Sequence, residues 1–378
     1  MKRNLLIISN ADSVYIKQYV EQLIKYSNDN EYSIYLLTRN NEVFSSRYSE
    51  LGVNIIHYVR NYAGGKERLY KFLLRTKHKV KNYGVKFDYI HVHFVDRITL
   101  TLAKVLSNEK TKIIVSYWGS DIYRKGELAF TKEEPLLKYA DKITFITEDM
   151  HSKFCNIYGD IFNNKCSIID FGLEVIDKLA GMKEGDQLSA RQEFGFGDED
   201  IVIAVGYNIN KEQQHLEVIN SLGNLPGYFR HKICFYLHFG YGCETEGYVD
   251  SLIKEMERFN FRYVISRKFM DASEIAKLRC AVDIFINAQV TDALSASMLE
   301  YIYAGKIVIN PVWLKYKLLD ENNIKTCIYN EFSELPFILK EVIEKGKLKS
   351  DVIEHNRRVL YEIYSWQKAI KRWLELYK

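Results

Sequence analysis

Apolar positions along the chain follow two spacings that take turns. Continuous apolar runs such as `NLLIIS`, `YSIYLLT`, `VNIIHYV`, `FDYIHVHF`, `KIIVSYWG` and `DKITFIT` read as strands buried on both faces. Between them, `SVYIKQYVEQLIKY` and `RITLTLAKVL` carry apolar residues at helical spacing. Strands alternating with helices imply crossover units and a parallel sheet. The alternation stops at the polar, Gly-containing residues 181–200, which read as a linker. It restarts with `IVIAVGYN`, a helix from about Lys211, `KICFYLHFGY`, a helix around `GYVDSLIKEMERF`, `RYVIS`, `ASEIAKLRCA`, `VDIFINA` and `KTCIYN`. The expected fold class is therefore α/β, with two Rossmann-like doubly wound parallel-sheet domains facing a central cleft, where such folds bind ligands. `IYSWQKAIKRWLELYK` reads as a final amphipathic helix.

Composition narrows the class. With 378 residues, 47% of them apolar and 27% charged, the chain can bury two cores and is not disordered. No apolar run approaches the roughly 20 residues needed to span a bilayer. The start, `MKRNLLIISNADS`, has an apolar run too short for a secretory leader and reads as a first strand. Six scattered cysteines without a CxxC pair argue against a zinc site or a disulfide framework and for reduced thiols in the cytoplasm.

Charge is uneven: residues 1–170 carry a net +7 and the remainder −3. Much of the excess lies in residues 60–86, with nine Lys or Arg against one Glu. There Leu69, Phe72, Leu73, Thr76 and Val80 share a helical stripe flanked by cations, the pattern of an interfacial helix. Lys71, Phe72, Arg75 and Lys79 are the expected membrane contacts. Each cation near an anionic leaflet contributes about 1 kcal/mol. A solvated helix face is the other reading. Nucleic acid is not expected, because no nucleic-acid motif accompanies the charge.

The densest chemistry lies in `TDALSASMLEYIYAGKIVINP`, residues 291–311. A helix should begin near Ser295 to Ser297 and stop before Gly305. Its first-turn amides lack internal partners and sit at the positive end of the helix dipole, so they can seat a diphosphate. Glu300, one turn in, can accept from two ribose hydroxyls, and Asp292 can do the same for an attached sugar. Ser297 and Glu300 also spell an S-x-x-E capping box, which needs no ligand.

This stretch resembles the Glu-x7-Glu signature of the retaining, group 1 glycosyltransferases of GT-B architecture. Asp292 stands for the first acid and Glu300 for the second, ahead of `YAGKIVI`. The resemblance extends over most of the chain through `FDYIHVHF`, `WGSD`, `IAVGYN` and the closing helix. A narrower similarity, in `YWGSDIYR`, `VGYNINKEQQHLEVI` and `FGYG`, is to the bacterial transferases that add 4-acetamido-4,6-dideoxygalactose to a lipid-linked disaccharide in surface polysaccharide synthesis. The architecture implies an acceptor domain over residues 1–175, rejoined by a helix over 360–378, and a nucleotide-sugar domain over 176–359.

The resemblance also assigns residues. Lys211 would neutralise the departing diphosphate. Gly206 would let the backbone approach it. Tyr207 stands where the family often has Arg, so His215 or another group would complete the clamp. Asn208, Gly240, Ser295 and Ser297 join the donor side. On the acceptor side stand Asp12, His93, Trp118 and Asp121. Trp118 replaces the family's usual histidine and could stack on a sugar. Asp121 could contact a sugar hydroxyl or cap a helix. His91 and His93 share a strand face and could bind metal, although a core role fits at least one. The triplet 198–200, `DED`, reads as solvated linker, and metal-independent activity is expected.

The implied activity is a hexosyl or N-acetylhexosaminyl transferase (EC 2.4), moving sugar from a nucleotide diphosphate, UDP foremost, with no cofactor. Its acceptor would be an undecaprenyl-diphosphate-linked oligosaccharide of O-antigen or capsule synthesis, at the cytoplasmic face of the cell membrane. A sugar-nucleotide epimerase and a non-catalytic nucleotide or polysaccharide binder remain alternatives.

Overall fold

Seven strands form one parallel sheet and six form a second among the residues the computed structural model describes: 2–27, 31–39, 45–58, 66–183, 185–292, 294–346 and 348–378. The first sheet holds β1 (Arg3–Ile8), β2 (Tyr32–Arg39), β3 (Asn54–Tyr58), β4 (Tyr89–His93), β5 (Lys112–Ser116), β6 (Lys142–Phe145) and β7 (Cys166–Ile168). Their order is β3-β2-β1-β4-β5-β6-β7. The second holds β8 (Ile201–Val205), β9 (Ile233–His238), β10 (Arg262–Ser266), β11 (Ile284–Ile286), β12 (Ile307–Pro311) and β13 (Cys327–Tyr329). Their order is β10-β9-β8-β11-β12-β13. In each sheet the first strand lies between a neighbour reached in one direction and a neighbour reached in the other: β1 between β2 and β4, β8 between β9 and β11. The strand order reverses there, and the carboxyl ends of those strands are where open α/β sheets place ligands.

The central runs are buried because helices cover both faces. Leu5 to Ile8 and Val202 to Val205 are all inaccessible or nearly so. Each such side chain contributes roughly 1.5–3 kcal/mol of burial.

The chain divides into two compact units, Met1–Gly172 with Trp366–Lys378, and Leu173–Ser365. These bounds differ from 1–175, 176–359 and 360–378. The closing helix is two helices, Ser350–Tyr364 and Trp366–Leu374, interrupted at Ser365, and residues 360–365 stay with the second unit. Leu360 and Tyr364 are held by the second unit's core, whereas Trp366, Ala369, Ile370 and Trp373 fill the first. Tyr377 then bonds His91 Nδ1 at 2.5 Å and locks the terminus to β4.

Two further expectations change. Residues 181–200 are not a plain linker: Asp186–Glu193 is a helix whose Arg191 is buried and donates to Asp283, Ala281 O, Gly197 O and Asp200 O at 2.6–3.1 Å. Within the triplet 198–200, Asp200 is buried and accepts from the Gly197 amide (2.7 Å) and from Arg262. Only Asp198 and Glu199 face water. Glu184 lies outside the described residues.

The basic helix spans Lys66–Lys81, and residues 60–65 lie outside the described part. Its apolar stripe is not free for a membrane. Phe72 and Val80 belong to the first unit's core, with Leu69 and Leu73 against it, and Phe72 meets Tyr58 edge-on at 5.7 Å. The stripe had two physical uses, and the sheet took it. Lys71, Arg75 and Lys79 remain exposed beside it. The helix's outward face carries Tyr70 (62% exposed) and Leu74 (47%), one turn apart. No helix of the described residues is long and apolar enough to cross a membrane.

Candidate functional site

The carboxyl end of β8 opens into a tight loop. Gly206 has φ +59, and a Cβ there would fall 2.7 Å from Gln213 Oε1 and 3.0 Å from His215 Nε2. A side chain is excluded by the chain's own packing, so the glycine is required whether or not a ligand approaches. Gln213 Oε1 accepts from the Tyr207 amide (3.2 Å), and Asn208 Oδ1 accepts from the Asn210 amide (2.9 Å). The loop is then tied to the segment after β11. Gln289 Oε1 accepts from Tyr207 OH (2.5 Å) and Gln213 Nε2 (3.2 Å), and the Val290 amide donates to Glu212 O (3.0 Å). A third segment joins through Asn210 Oδ1, which accepts from the Cys243 amide at 2.6 Å. The structure thus brings together the β8, β9 and β11 loops that the sequence had marked separately.

Lys211 stands on this loop in a single 3-10 turn, Lys211–Gln213, and is exposed. His215 does not serve as a cationic clamp. It is buried, contacts Tyr248 OH through Nδ1 (3.1 Å), and burial lowers it to about 3, so it is neutral near pH 7. Its Nε2 is sealed from water with no hydrogen-bond partner among the described residues. Gly240 also departs from its expected role: a Cβ would fall 2.3 Å from Lys268 O, so it serves a close backbone approach within the unit.

After β11, the helix Ala296–Tyr303 begins as expected, but its cap differs. Ser295 is the N-cap, its hydroxyl accepting from the Met298 amide at 3.2 Å. The S-x-x-E box of Ser297 and Glu300 does not form, because both lie inside the helix. The amides of Ala296 and Ser297 have no hydrogen-bond partner among the described residues. Ser297 Oγ accepts from Arg279 Nη2 at 2.9 Å. Glu300 Oε2 accepts from Arg279 Nε (3.0 Å) and Nη2 (2.9 Å). Burial is the larger influence on the Glu300 carboxyl and pushes it up, opposed in part by the Arg279 charge and hydrogen bonds. The two side chains are 4% and 9% exposed, so the ion pair is sealed but for an edge. Asp292, half-buried in the loop before this helix, accepts from Tyr316 OH at 3.3 Å, and Tyr316 OH in turn accepts from Asn287 Nδ2 at 3.0 Å. Ala293 lies outside the described residues.

Arg279, Gln289 and Tyr316 escaped the sequence. Arg279 had a signal: in `ASEIAKLRCA` it falls at helical register with Ala272, Ile275 and Ala276, a charge inside an apolar stripe. Gln289 and Tyr316 had none, since long-range packing alone places them.

The corresponding edge of the first sheet is aromatic. Trp118, half-buried, stacks on Phe94 (5.2 Å, 20°) and Trp373 (6.4 Å, 18°), meets Phe171 edge-on at 4.7 Å, and lies 6.0 Å from Tyr15. Its Nε1 donates to His93 Nδ1 at 3.2 Å. His93 is not an exposed acceptor contact. It is fully buried, and burial brings it to about 3. Because Nδ1 accepts from Trp118, the neutral ring carries its proton on Nε2, which is sealed and has no partner among the described residues. His91, 3.9 Å from His93 between ring centroids, bonds Ser116 Oγ (2.7 Å) and Tyr377 OH. Among the described residues no group of three or more His, Cys, Asp or Glu side chains could hold a metal ion.

Asp121 is also committed. Oδ1 accepts from the Trp118 and Gly119 amides and Oδ2 from the Val95 amide, all at 2.9 Å. It caps nothing that follows and instead staples the turn after β5 to the turn after β4. Burial is the larger influence on its carboxyl and pushes it up. Asp12, in the turn after β1, is half-buried, its amide donating to Asn10 Oδ1 at 3.3 Å.

Residues 4–147 match the family model described as Glycosyl transferase 4-like. No curated protein matches the chain. Among solved structures, a glycosyltransferase from Rickettsia africae ESF-5 is similar over 100% of this chain and 98% of its own, at 14% identity and TM-score 0.79. HepE from Anabaena, in complex with UDP and glucose, is similar over 99% of each chain, at 14% identity and TM-score 0.71. Sucrose-phosphate synthase from Thermosynechococcus elongatus covers 100% of this chain and 98% of its own, at 14% identity and TM-score 0.70. The fold is the two-domain GT-B architecture, with Rossmann-like sheets of seven and six parallel strands.

Proposed function

We propose that this protein is a glycosyltransferase that moves a sugar from a nucleoside diphosphate, UDP foremost, to a lipid-linked oligosaccharide in bacterial surface polysaccharide synthesis. The observation that carries this reading is the start of the helix Ala296–Tyr303. Two amides unpartnered among the described residues lie one turn from the Glu300 carboxyl, whose Oε2 accepts two hydrogen bonds from Arg279. The amides and the helix dipole stabilise the leaving diphosphate. Lys211, exposed on the adjoining loop, adds a positive charge. Glu300 accepts from the ribose, and Asp292, oriented by Tyr316, reads the donor sugar. UDP is preferred by likeness to HepE, whose structure carries UDP and glucose.

In the transfer, the bond from the anomeric carbon to the β-phosphate oxygen breaks and a bond to the acceptor hydroxyl oxygen forms on the same face. The acceptor proton passes to the leaving phosphate oxygen, so no side-chain base is needed. Asp121 is no candidate for that role, being held by three backbone amides. Trp118, with Phe94 and the half-exposed Tyr15, offers ring faces on which an acceptor sugar can stack. The lipid anchor fits the helix Lys66–Lys81 through its outward Tyr70 and Leu74 with Lys71, Arg75 and Lys79 around them.

UDP release from a panel of UDP-sugars, with and without a membrane extract carrying polyprenyl-diphosphate oligosaccharides, tests the proposal. Acceptor-dependent release of UDP supports it. A new nucleotide sugar formed without acceptor would make the protein an epimerase, and neither product would make it a binder.

A further inference from the structure

We propose that Arg279 is a positioning residue that makes Glu300 a one-oxygen acceptor for the ribose hydroxyls of the bound nucleotide. This inference rests on the nucleotide reading given above.

A guanidinium facing a carboxylate ordinarily engages both oxygens through two parallel hydrogen bonds. Here Nε and Nη2 both donate to Oε2, at 3.0 and 2.9 Å. The second Nη2 hydrogen goes to Ser297 Oγ (2.9 Å) and Nη1 donates to Tyr301 OH (3.0 Å). Four of the five guanidinium hydrogens are thereby used within one helix, and Glu300 Oε1 receives none. Oε1 has no partner among the described residues, yet it is absent from the sealed, unpartnered atoms of the unit. It therefore keeps a path to solvent or ligand, while its twin oxygen is locked.

The arginine cannot swing to share that oxygen. Its guanidinium lies 4.3 Å over the Tyr301 ring, and Tyr301 stacks on Phe285 of β11 at 4.6 Å and 18°. The charge is permanent, since an arginine does not lose its proton in proteins. Stability alone is a weak reason for such a pair: a buried ion pair commonly gives no advantage over well-packed apolar residues of the same volume. Helix capping is no reason either, because Ser295 already caps. What the arrangement does provide is an acceptor in one fixed orientation, held out of water but for one oxygen.

The test is affinity for UDP against 2′,3′-dideoxy-UDP, measured by calorimetry on the full chain. The variants are Arg279→Met, Arg279→Lys, Glu300→Gln and the double Arg279→Met/Glu300→Gln. Wild type should prefer UDP by about tenfold or more, the worth of a hydrogen bond to a charged group. Arg279→Met should bring that preference close to unity while dideoxy-UDP affinity changes little. Arg279→Lys should restore part of it, and Arg279→Met should add nothing once Glu300 is Gln. The double variant leaves no uncompensated charge, so it carries the comparison if Arg279→Met fails to fold. Equal losses for both nucleotides, a preference retained in Arg279→Met, or an undiminished effect in the Glu300→Gln background would each overturn the inference. A wild type that binds UDP but ignores the ribose hydroxyls would overturn it and leave nucleotide binding standing. A wild type that binds neither nucleotide would remove both.

Discussion

The carboxyl edges of the two sheets solve burial in opposite ways. At the first, around β4 and β5, the buried imidazoles are neutral: His91 and His93 are stacked among Tyr19, Trp118 and Trp373, burial keeps both uncharged, and the Asp121 carboxyl is spent on three backbone amides. At the second, beyond β11, a full ion pair is buried, Arg279 with Glu300, and every bond it makes stays within two helices. The first edge can offer ring faces and little charge. The second can offer charge and directed hydrogen bonds. Under the proposed transfer, the first edge would stack on a sugar and the second would receive a phosphate and a ribose.

That contrast can be broken by mutation. The largest expected effect is from Arg279→Met, which strands the Glu300 carboxylate in the core and should cost about 3–5 kcal/mol of stability by denaturant unfolding. A loss under 1 kcal/mol would mean the carboxylate finds water and the pair is not sealed. Next, Asp121→Asn keeps shape but replaces one acceptor oxygen by a donor facing backbone amides. It should cost about 2–3 kcal/mol. If instead activity falls and stability holds, Asp121 touches substrate after all.

Acid should weaken both edges through their neutral histidines. Burial takes His93 and His215 from 6.5 to about 3 and His238 to about 4. Below 6.5 the unfolded chain binds protons at these rings and the folded chain does not, so stability is lost as pH falls through that window. One histidine contributes a slope of about 1.4 kcal/mol per pH unit. His93→Phe should flatten the slope measured between pH 6.5 and 4, and an unchanged slope would show that the ring is already charged in the folded protein. The smallest effect on stability, within about 0.5 kcal/mol, is expected from Lys71→Glu, Arg75→Glu and Lys79→Glu together, since all three are exposed. Their effect should appear in reduced recovery on anionic vesicles; equal recovery would remove the membrane contact.

Much of this was legible beforehand. The alternation of apolar runs and helical stripes marked most of the strands, because strands buried on both faces must be apolar throughout. The restart near residue 201 marked the second sheet, and the Ser-rich approach to Gly305 marked the helix that follows β11. The errors share a cause. The stripe of Leu69, Phe72 and Val80 and the histidines of β4 were recognised as patterns, but a pattern does not say which neighbour covers it. Asp121 was seen as a carboxylate in a turn, and only the fold reveals that Val95 from a different turn donates to it.

The sequence by itself determined the element types, the two parallel sheets and the helix on which Ser295, Ser297 and Glu300 stand, because hydrophobic period and capping chemistry act over a few residues. Tertiary structure alone decided that Glu300 pairs with Arg279, 21 residues earlier, that His93 is sealed, and that the cationic helix spends its apolar face on the first sheet. Those outcomes depend on which surfaces meet once the chain has collapsed, and residues distant in sequence carry no local signal of that meeting.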